Sequence, residues 1–357
     1  MSSLRSNDHH AAANILKLPS EIIGDEIFSK YLNFEFIISV CSLVCKQFYK
    51  CSVNCKLNVK IPRFYDEESF AKCCKSERLK CVNEFVSDCP YSFEEFVKYL
   101  DECQFDSLKR LNLIGLEVSN VVARFGSLES LSLIGMGAEI GNSIGNLSRL
   151  TYLNLNASSV TSESCQYIQK CELIKNLNLS DNKIGNESCL YLTKLKNLTI
   201  LRLEDCNISE KGVEHLSQIE TLTILNVSKN RIEDDGFVNI CKLKNLTSLK
   251  AASCSVESIK NITNLIKLTS LNLGQNSIDN EGVKIIGELT NLKTLTLENN
   301  VFQPEAVQYL TKLSSMEVLD LRDNNLSFDN VKCLNATNLP KLYQIQIISR
   351  HRQYYNF

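Results

Sequence analysis

Leu198-Thr199-Ile200-Leu201-Arg202-Leu203 is followed by Glu204-Asp205-Cys206, and the pattern returns at Leu222-Thr223-Ile224-Leu225-Asn226-Val227. The phrase is L-x-x-L-x-L, and eleven copies can be read along the chain. They begin at Leu108, Leu128, Leu150, Ile174, Leu198, Leu222, Leu246, Leu268, Leu292, Met316 and Leu342. Successive offsets are 20, 22, 24, 24, 24, 24, 22, 24, 24 and 26 residues. A period this regular must be read before any single residue, because each unit is one structural repeat.

Within each copy the L-x-L alternation has a period of two, so alternate side chains face one side of a short strand. Three positions after the last strand apolar residue stands Asn182, Asn230, Asn276, Asn300 or Asn324. Cys206 and Cys254 take that place in two copies, and Ser158 in one. A turn inside a solenoid leaves backbone groups that must be paired, and a small amide or thiol can reach them. The second half of a repeat has apolar residues three apart: Val213/Leu216/Ile219, Phe237/Ile240/Leu243, Val283/Ile286/Leu289 and Val307/Leu310/Leu313. Gly212, Gly236 and Gly282 precede three of these triplets. That spacing predicts a short α or 3₁₀ helix on the side away from the strands. No repeat can bury both its faces alone, so stability must come from stacking.

Residues 108–347 resemble the leucine-rich-repeat family. The resemblance implies an α/β solenoid: a horseshoe with a parallel concave sheet and short convex helices. The repeat domain is expected over 108–349, with a polar tail at 350–357.

The chain has 357 residues, 39 Lys or Arg against 41 Asp or Glu, and a formal charge of −2. That balance argues against nucleic acid or an anionic membrane as the main partner. The longest nearly apolar stretch, Phe36 to Cys45, is too short to span a bilayer, which takes about 20 residues. The first residues lack the apolar core of a secretory signal. Sixteen Cys without such a signal point to free thiols in a reducing compartment, cytoplasmic or nuclear. The N-x-S/T matches at Asn178, Asn197, Asn226 and Asn245 follow from the repeat and carry no glycosylation meaning in that setting.

Residues 1–14 are polar and read as a tail. Then come Leu18-Pro19, Ile22-Ile23, Ile27-Phe28-Ser29, Leu32 and Val44-Cys45-Lys46 with Phe48. Pro19 suits the first turn of a helix, and the aliphatic pairs fall at helical spacing. Residues 15–55 resemble the F-box, a small all-α domain, with Phe48 where that family commonly has Trp and slightly longer spacings before Leu32 and Val44. The resemblance implies docking on the adaptor of a cullin–RING ubiquitin ligase, with Leu18, Pro19, Ile22, Ile23, Ile27, Val44 and Phe48 as the adaptor-binding candidates. An F-box followed by leucine-rich repeats implies a substrate-recognition subunit that is not itself an enzyme. The alternative is a protein-binding scaffold or inhibitor whose N-terminal helices only cap the first repeat. Residues 56–107 join the two parts; Leu57-Asn58-Val59-Lys60-Ile61 alternates like a strand and 93–100 like a helix, as in degenerate repeats.

Catalysis needs convergent polar groups, and none stands out. The four His are His9, His10, His215 and His351, with His215 expected on an exposed helix surface. Phosphate loops and nucleophile elbows are missing from the sequence. Cys41, Cys45, Cys51 and Cys55 lack the usual zinc spacing of close pairs around a longer loop, so no metal and no cofactor is expected. The target protein is expected on the strand positions between the leucines. These are Tyr152, Asn154, Asn178, Arg202, Glu204, Asp205, Asn226, Lys229, Lys250, Asn272, Gln275, Thr296, Glu298, Asp320 and Arg322. Eleven strands would make a ledge of about 50 Å, wide enough for a protein interface.

Overall fold

The computed structural model describes residues 57–61, 82–87, 108–114, 122, 124–135 and 142–347. The F-box-like segment 15–55 with its seven adaptor candidates lies outside the described residues. So do the tail 1–14, the helix expected over 93–100, the four clustered cysteines, His9, His10, His351 and the tail 350–357. The chain divides into two compact units, Met1–Ala138 with Asn146–Leu150, and Glu139–Gly145 with Thr151–Phe357.

In the first unit, β1 (Leu57–Ile61), β2 (Val82–Ser87), β3 (Arg110–Ile114) and β4 (Ser130–Ile134) pair in parallel in chain order. Val59, Phe85, Leu111 and Leu131 share one register line. The strand expected at Leu57–Ile61 is β1. β2 has the sequence VNEFVS and no leucine, so counting leucines passes over it.

Among the described residues, the second unit holds nine three-residue strands. They are β5 (Tyr152–Asn154), β6 (Asn176–Asn178), β7 (Ile200–Arg202), β8 (Ile224–Asn226), β9 (Ser248–Lys250), β10 (Ser270–Asn272), β11 (Thr294–Thr296), β12 (Val318–Asp320) and β13 (Gln344–Gln346). Each pairs in parallel with its chain neighbour, and the central residues stand in one line from Leu153 through Leu201 and Leu249 to Ile345. Nearly all are fully buried, whereas Ile345 on the last strand is 39% exposed. All eleven L-x-x-L-x-L copies supply one of the strands β3 to β13.

The other half of each repeat carries α1 (Ser162–Ile168), α2 (Gly185–Leu192), α3 (Glu210–Leu216), α4 (Glu233–Ile240) and α5 (Asn280–Ile286). Where a repeat is two residues shorter, between Leu246 and Leu268, the helix shrinks to a 3₁₀ turn at Ile262–Asn264. A further 3₁₀ stretch spans Pro304–Lys312, with Pro304 in its first turn, where no N–H is missed. Thr161, Ser209 and Asp279 cap α1, α3 and α5 through their side-chain oxygens. Val213, Leu216, Phe237, Ile240, Val283 and Ile286 are buried as their three-residue spacing predicts.

Gly212 shows why that position takes glycine. A Cβ there would overlap Ile208 Cγ2 and come within 2.7 Å of Asn186 Oδ1. Gly236 and Gly282 face Ile232 and Ile278 in the same way, both at 2.6 Å. Each isoleucine is buried four positions earlier, so the glycine lets it pack against the helix backbone.

Candidate protein-binding face

Behind the strands of the second unit runs a ladder of buried and half-buried amides and buried thiols. Asn182 Nδ2 donates to the carbonyls of Leu155 (2.7 Å), Leu179 (2.8 Å) and Ser180 (3.0 Å), and its Oδ1 accepts from the amides of Ser158 and Val160, both at 2.9 Å. Asn230 repeats the arrangement towards Leu203, Val227, Ser228, Cys206 and Ile208. Asn276, Asn300 and Asn324 likewise reach the carbonyls of Ala251, Leu273 and Leu297. In the intervening copies Cys206 Sγ donates to Leu179 O at 3.2 Å and Cys254 Sγ to Val227 O at 3.3 Å. The small polar residue after each strand therefore pairs turn groups with the repeat before it, as its position implied.

The first row of candidate residues divides in two. Asn154 and Asn226 are 9% and 8% exposed, so they offer a partner less surface than their strand positions led us to expect. Asn154 Oδ1 accepts from Asn156 N (3.2 Å) and Asn226 Oδ1 from Ser228 N (3.1 Å), which ties each amide to the turn beyond its strand. Asn178, Asn272 and Asp320 make the same bond, to Ser180, Gly274 and Arg322, while staying half-buried. Tyr152 and Thr296 are also half-buried, and Lys250 is exposed.

Two charged clusters stand on the face. Lys229 Nζ lies 2.8 Å from Glu204 Oε1, and Asn226 Nδ2 donates to Glu204 Oε2 at 3.1 Å. The hydrogen bond from Lys229 holds the Glu204 carboxyl below the usual range; partial burial opposes this and Asn226 assists it. Four strands on, Arg322 grips Asp320 with Nε (2.8 Å) and Nη2 (2.6 Å), and Nη2 also reaches Glu298 at 3.0 Å. Such a fork holds three side chains in fixed geometry. Arg202 Nη1 donates to Asn176 Oδ1 at 2.9 Å, and Ser253 Oγ donates to Gln275 Oε1 at 2.8 Å. Asn176 was not among the expected site residues, although it stands at the same strand position as Tyr152, which was.

Asp205, Lys229 and Gln275 sit in the left-handed region, with φ of 50°, 57° and 57°, and are exposed at the turn beyond the strand. Candidate residues thus fall into a strand row and a turn row. His215 lies in the last turn of α3 and is half-buried, not exposed as expected, because it follows the buried face residues Gly212 and Val213 closely. Among the described residues, no helix is long and apolar enough to cross a membrane.

The family described as Leucine Rich repeat matches residues 170–192, 194–217, 218–241 and 264–287. The chain therefore carries leucine-rich repeats, and its second unit is a leucine-rich-repeat solenoid. No curated protein matches the sequence. Among solved structures, an internalin (inlF) of Listeria monocytogenes aligns with a TM-score of 0.56 at 20% identity, over 77% of this chain and 84% of that one. A TDR receptor aligns with a TM-score of 0.49 at 19% identity, over 66% of this chain and 46% of that one. A leucine-rich-repeat protein of Leptospira interrogans aligns with a TM-score of 0.47 at 18% identity, over 94% and 97%. The internalin likeness is one of fold.

Proposed function

We propose that the chain is a non-catalytic binding subunit that holds a protein partner on the sheet face of its repeats. One observation carries this reading: a row of polar side chains on the strands and on the turns beyond them, several kept in place by mutual bonds such as Glu204–Lys229 and Arg322–Asp320. Nine strands spread that row over about 40 Å, which suits a standard protein interface. Side chains already held in one geometry lose little entropy on binding.

The finer reading adds the N-terminal segment. Residues 15–55 carry the F-box phrases, and residues 56–107 read as degenerate repeats joining them to the solenoid. On this reading the chain is the substrate-recognition subunit of a cullin–RING ubiquitin ligase, with the adaptor on Leu18, Pro19, Ile22, Ile23, Ile27, Val44 and Phe48. The target sits on the sheet face. The test is binding of the purified full chain to the adaptor of its own organism, beside a Leu18→Ala/Pro19→Ala variant. Wild-type binding that is lost in a variant with unchanged repeat melting supports the ligase role. Failure of folded wild type to bind sinks that role and leaves a protein-binding scaffold.

A further inference from the structure

A second surface lies away from the sheet face, on the edge where helices lead back into strands. Between residues 170 and 267 these loops hold seven lysines: Lys170, Lys175, Lys194, Lys196, Lys242, Lys244 and Lys267. Only Glu172 and Glu220 oppose them there. All seven lysines are exposed. Among the described residues none of them is in an ion pair. Their contacts are with neutral groups: Lys196 with Thr193 O (2.9 Å), Lys242 with Asn239 Oδ1 (2.6 Å) and Lys267 with Asn245 Oδ1 (2.8 Å). Lys170 Nζ stands 5.3 Å above the Tyr167 ring. The opposite edge, where strands lead into helices, gathers Glu210, Glu233, Asp234, Asp235 and Glu257 around Arg231. A chain of charge −2 thus keeps a local excess of positive charge on one edge.

The centre of this edge is a duplicated phrase, Lys194-Leu195-Lys196-Asn197-Leu198-Thr199 and Lys242-Leu243-Lys244-Asn245-Leu246-Thr247. Leu195 and Leu243 are fully buried, so the two lysines beside each leave the loop on the solvent side. Asn197 Nδ2 donates to Glu172 O and Asn245 Nδ2 to Glu220 O, both at 2.9 Å, tying each loop to the repeat before it. The pairs are two repeats apart, about 10 Å at strand spacing. About three residues of extended chain span that gap. Ile266, 68% exposed, sits next to Lys267, and Leu173, 49% exposed, flanks the other side.

We propose that this lysine edge docks an acidic, extended segment of a partner protein. Charge complementarity argues for carboxylates, because the lysines have no anionic partner of their own. The edge carries no arginine fork for phosphate. Its exposed apolar side chains, Leu173 and Ile266, are aliphatic, whereas stacking of bases needs open aromatic faces, and the Tyr167 ring is half-buried beneath Lys170. The proposal concerns a surface separate from the sheet face and does not depend on what binds there.

The test uses the full chain and a fluorescent peptide of about 12 alternating Glu and Ala residues, long enough to cross both loops. Anisotropy is compared with a single-stranded DNA of equal charge, and the peptide is titrated at low and at physiological salt, since exposed charges are screened over about 10 Å. The peptide is expected to bind more tightly than the DNA, and to weaken with salt. Lys194→Glu/Lys196→Glu/Lys242→Glu/Lys244→Glu is expected to lower peptide affinity at least tenfold, about the effect of removing several exposed contacts. Lys183→Glu/Lys211→Glu/Lys284→Glu/Lys332→Glu makes the same charge change elsewhere and should bind as wild type. Equal loss in both variants, tighter binding of the DNA, or no peptide binding at low salt would each overturn the proposal. All eight positions are exposed, and thermal melting checks that both variants stay folded.

Discussion

Asn230 shows how much of the fold rests on single side chains. It accepts from the amides of Cys206 and Ile208 at 3.0 Å each, and donates to the carbonyls of Leu203, Val227 and Ser228. Asn230→Ala would leave several buried backbone groups without partners, at about 1–3 kcal/mol for each that finds no substitute. We expect a loss of about 2–4 kcal/mol in urea unfolding. Asn230→Cys should fall between the two, since Cys206 and Cys254 each keep the donor to the preceding repeat but offer no side-chain carbonyl. A loss no greater than that of a surface substitution would show that water replaces these bonds. The presence of a small polar residue at this position is plain in the sequence. Its five-way bonding is not, because the partners lie up to 27 residues away and meet only when repeats stack.

At the scale of the element, the glycines of the helices carry an inverted expectation. Gly→Ala inside a helix ordinarily stabilises by about 1 kcal/mol. Gly212→Ala should instead destabilise by about 1–3 kcal/mol, because the new methyl meets Ile208 and Asn186 in a packed interior. Gly126→Ala, in a turn where nothing lies within 4 Å of the added Cβ, controls for the added methyl alone. A Gly212→Ala melt at or above that of wild type would mean that Ile208 moves aside freely. Helix positions were readable from three-residue apolar spacing. Helix kind was not: the same apolar spacing gives α-helices in five repeats and 3₁₀ geometry at Ile262–Asn264, in a repeat two residues shorter, and at Pro304–Lys312.

For the molecule as a whole, the buried thiols report on how the repeats open. Cys165, Cys171, Cys189, Cys206, Cys241 and Cys254 are free and buried. Burial pushes the thiols of Cys165 and Cys171 up to about 11 and those of Cys206, Cys241 and Cys254 up to about 12. The thiolate is the reactive form, so these six should resist alkylation at neutral pH. Peptide-level mass spectrometry in rising urea should then show them labelled together if the nine-strand unit unfolds as one. Labelling of Cys254 well before Cys165 would indicate stepwise opening, as weakly coupled repeats allow.

The amino-acid sequence alone determined the repeat, its period, the strand leucines and the polar residue behind each strand. These are local, periodic demands that every repeat states again, so no long-range information is needed to read them. Tertiary structure decided the rest of the face. Asn154 and Asn226 share their strand row with half-buried Asn178 and Arg202 and exposed Lys250, yet they are themselves buried, a difference that spacing along the chain does not show. The pairing of Glu204 with Lys229 and of Arg322 with Glu298 joins residues 24 or more positions apart. The lysine edge likewise becomes one surface only when loops from successive repeats are laid side by side. Spacing along a chain specifies which side of a strand a residue takes; which neighbours it then meets depends on how the repeats are stacked.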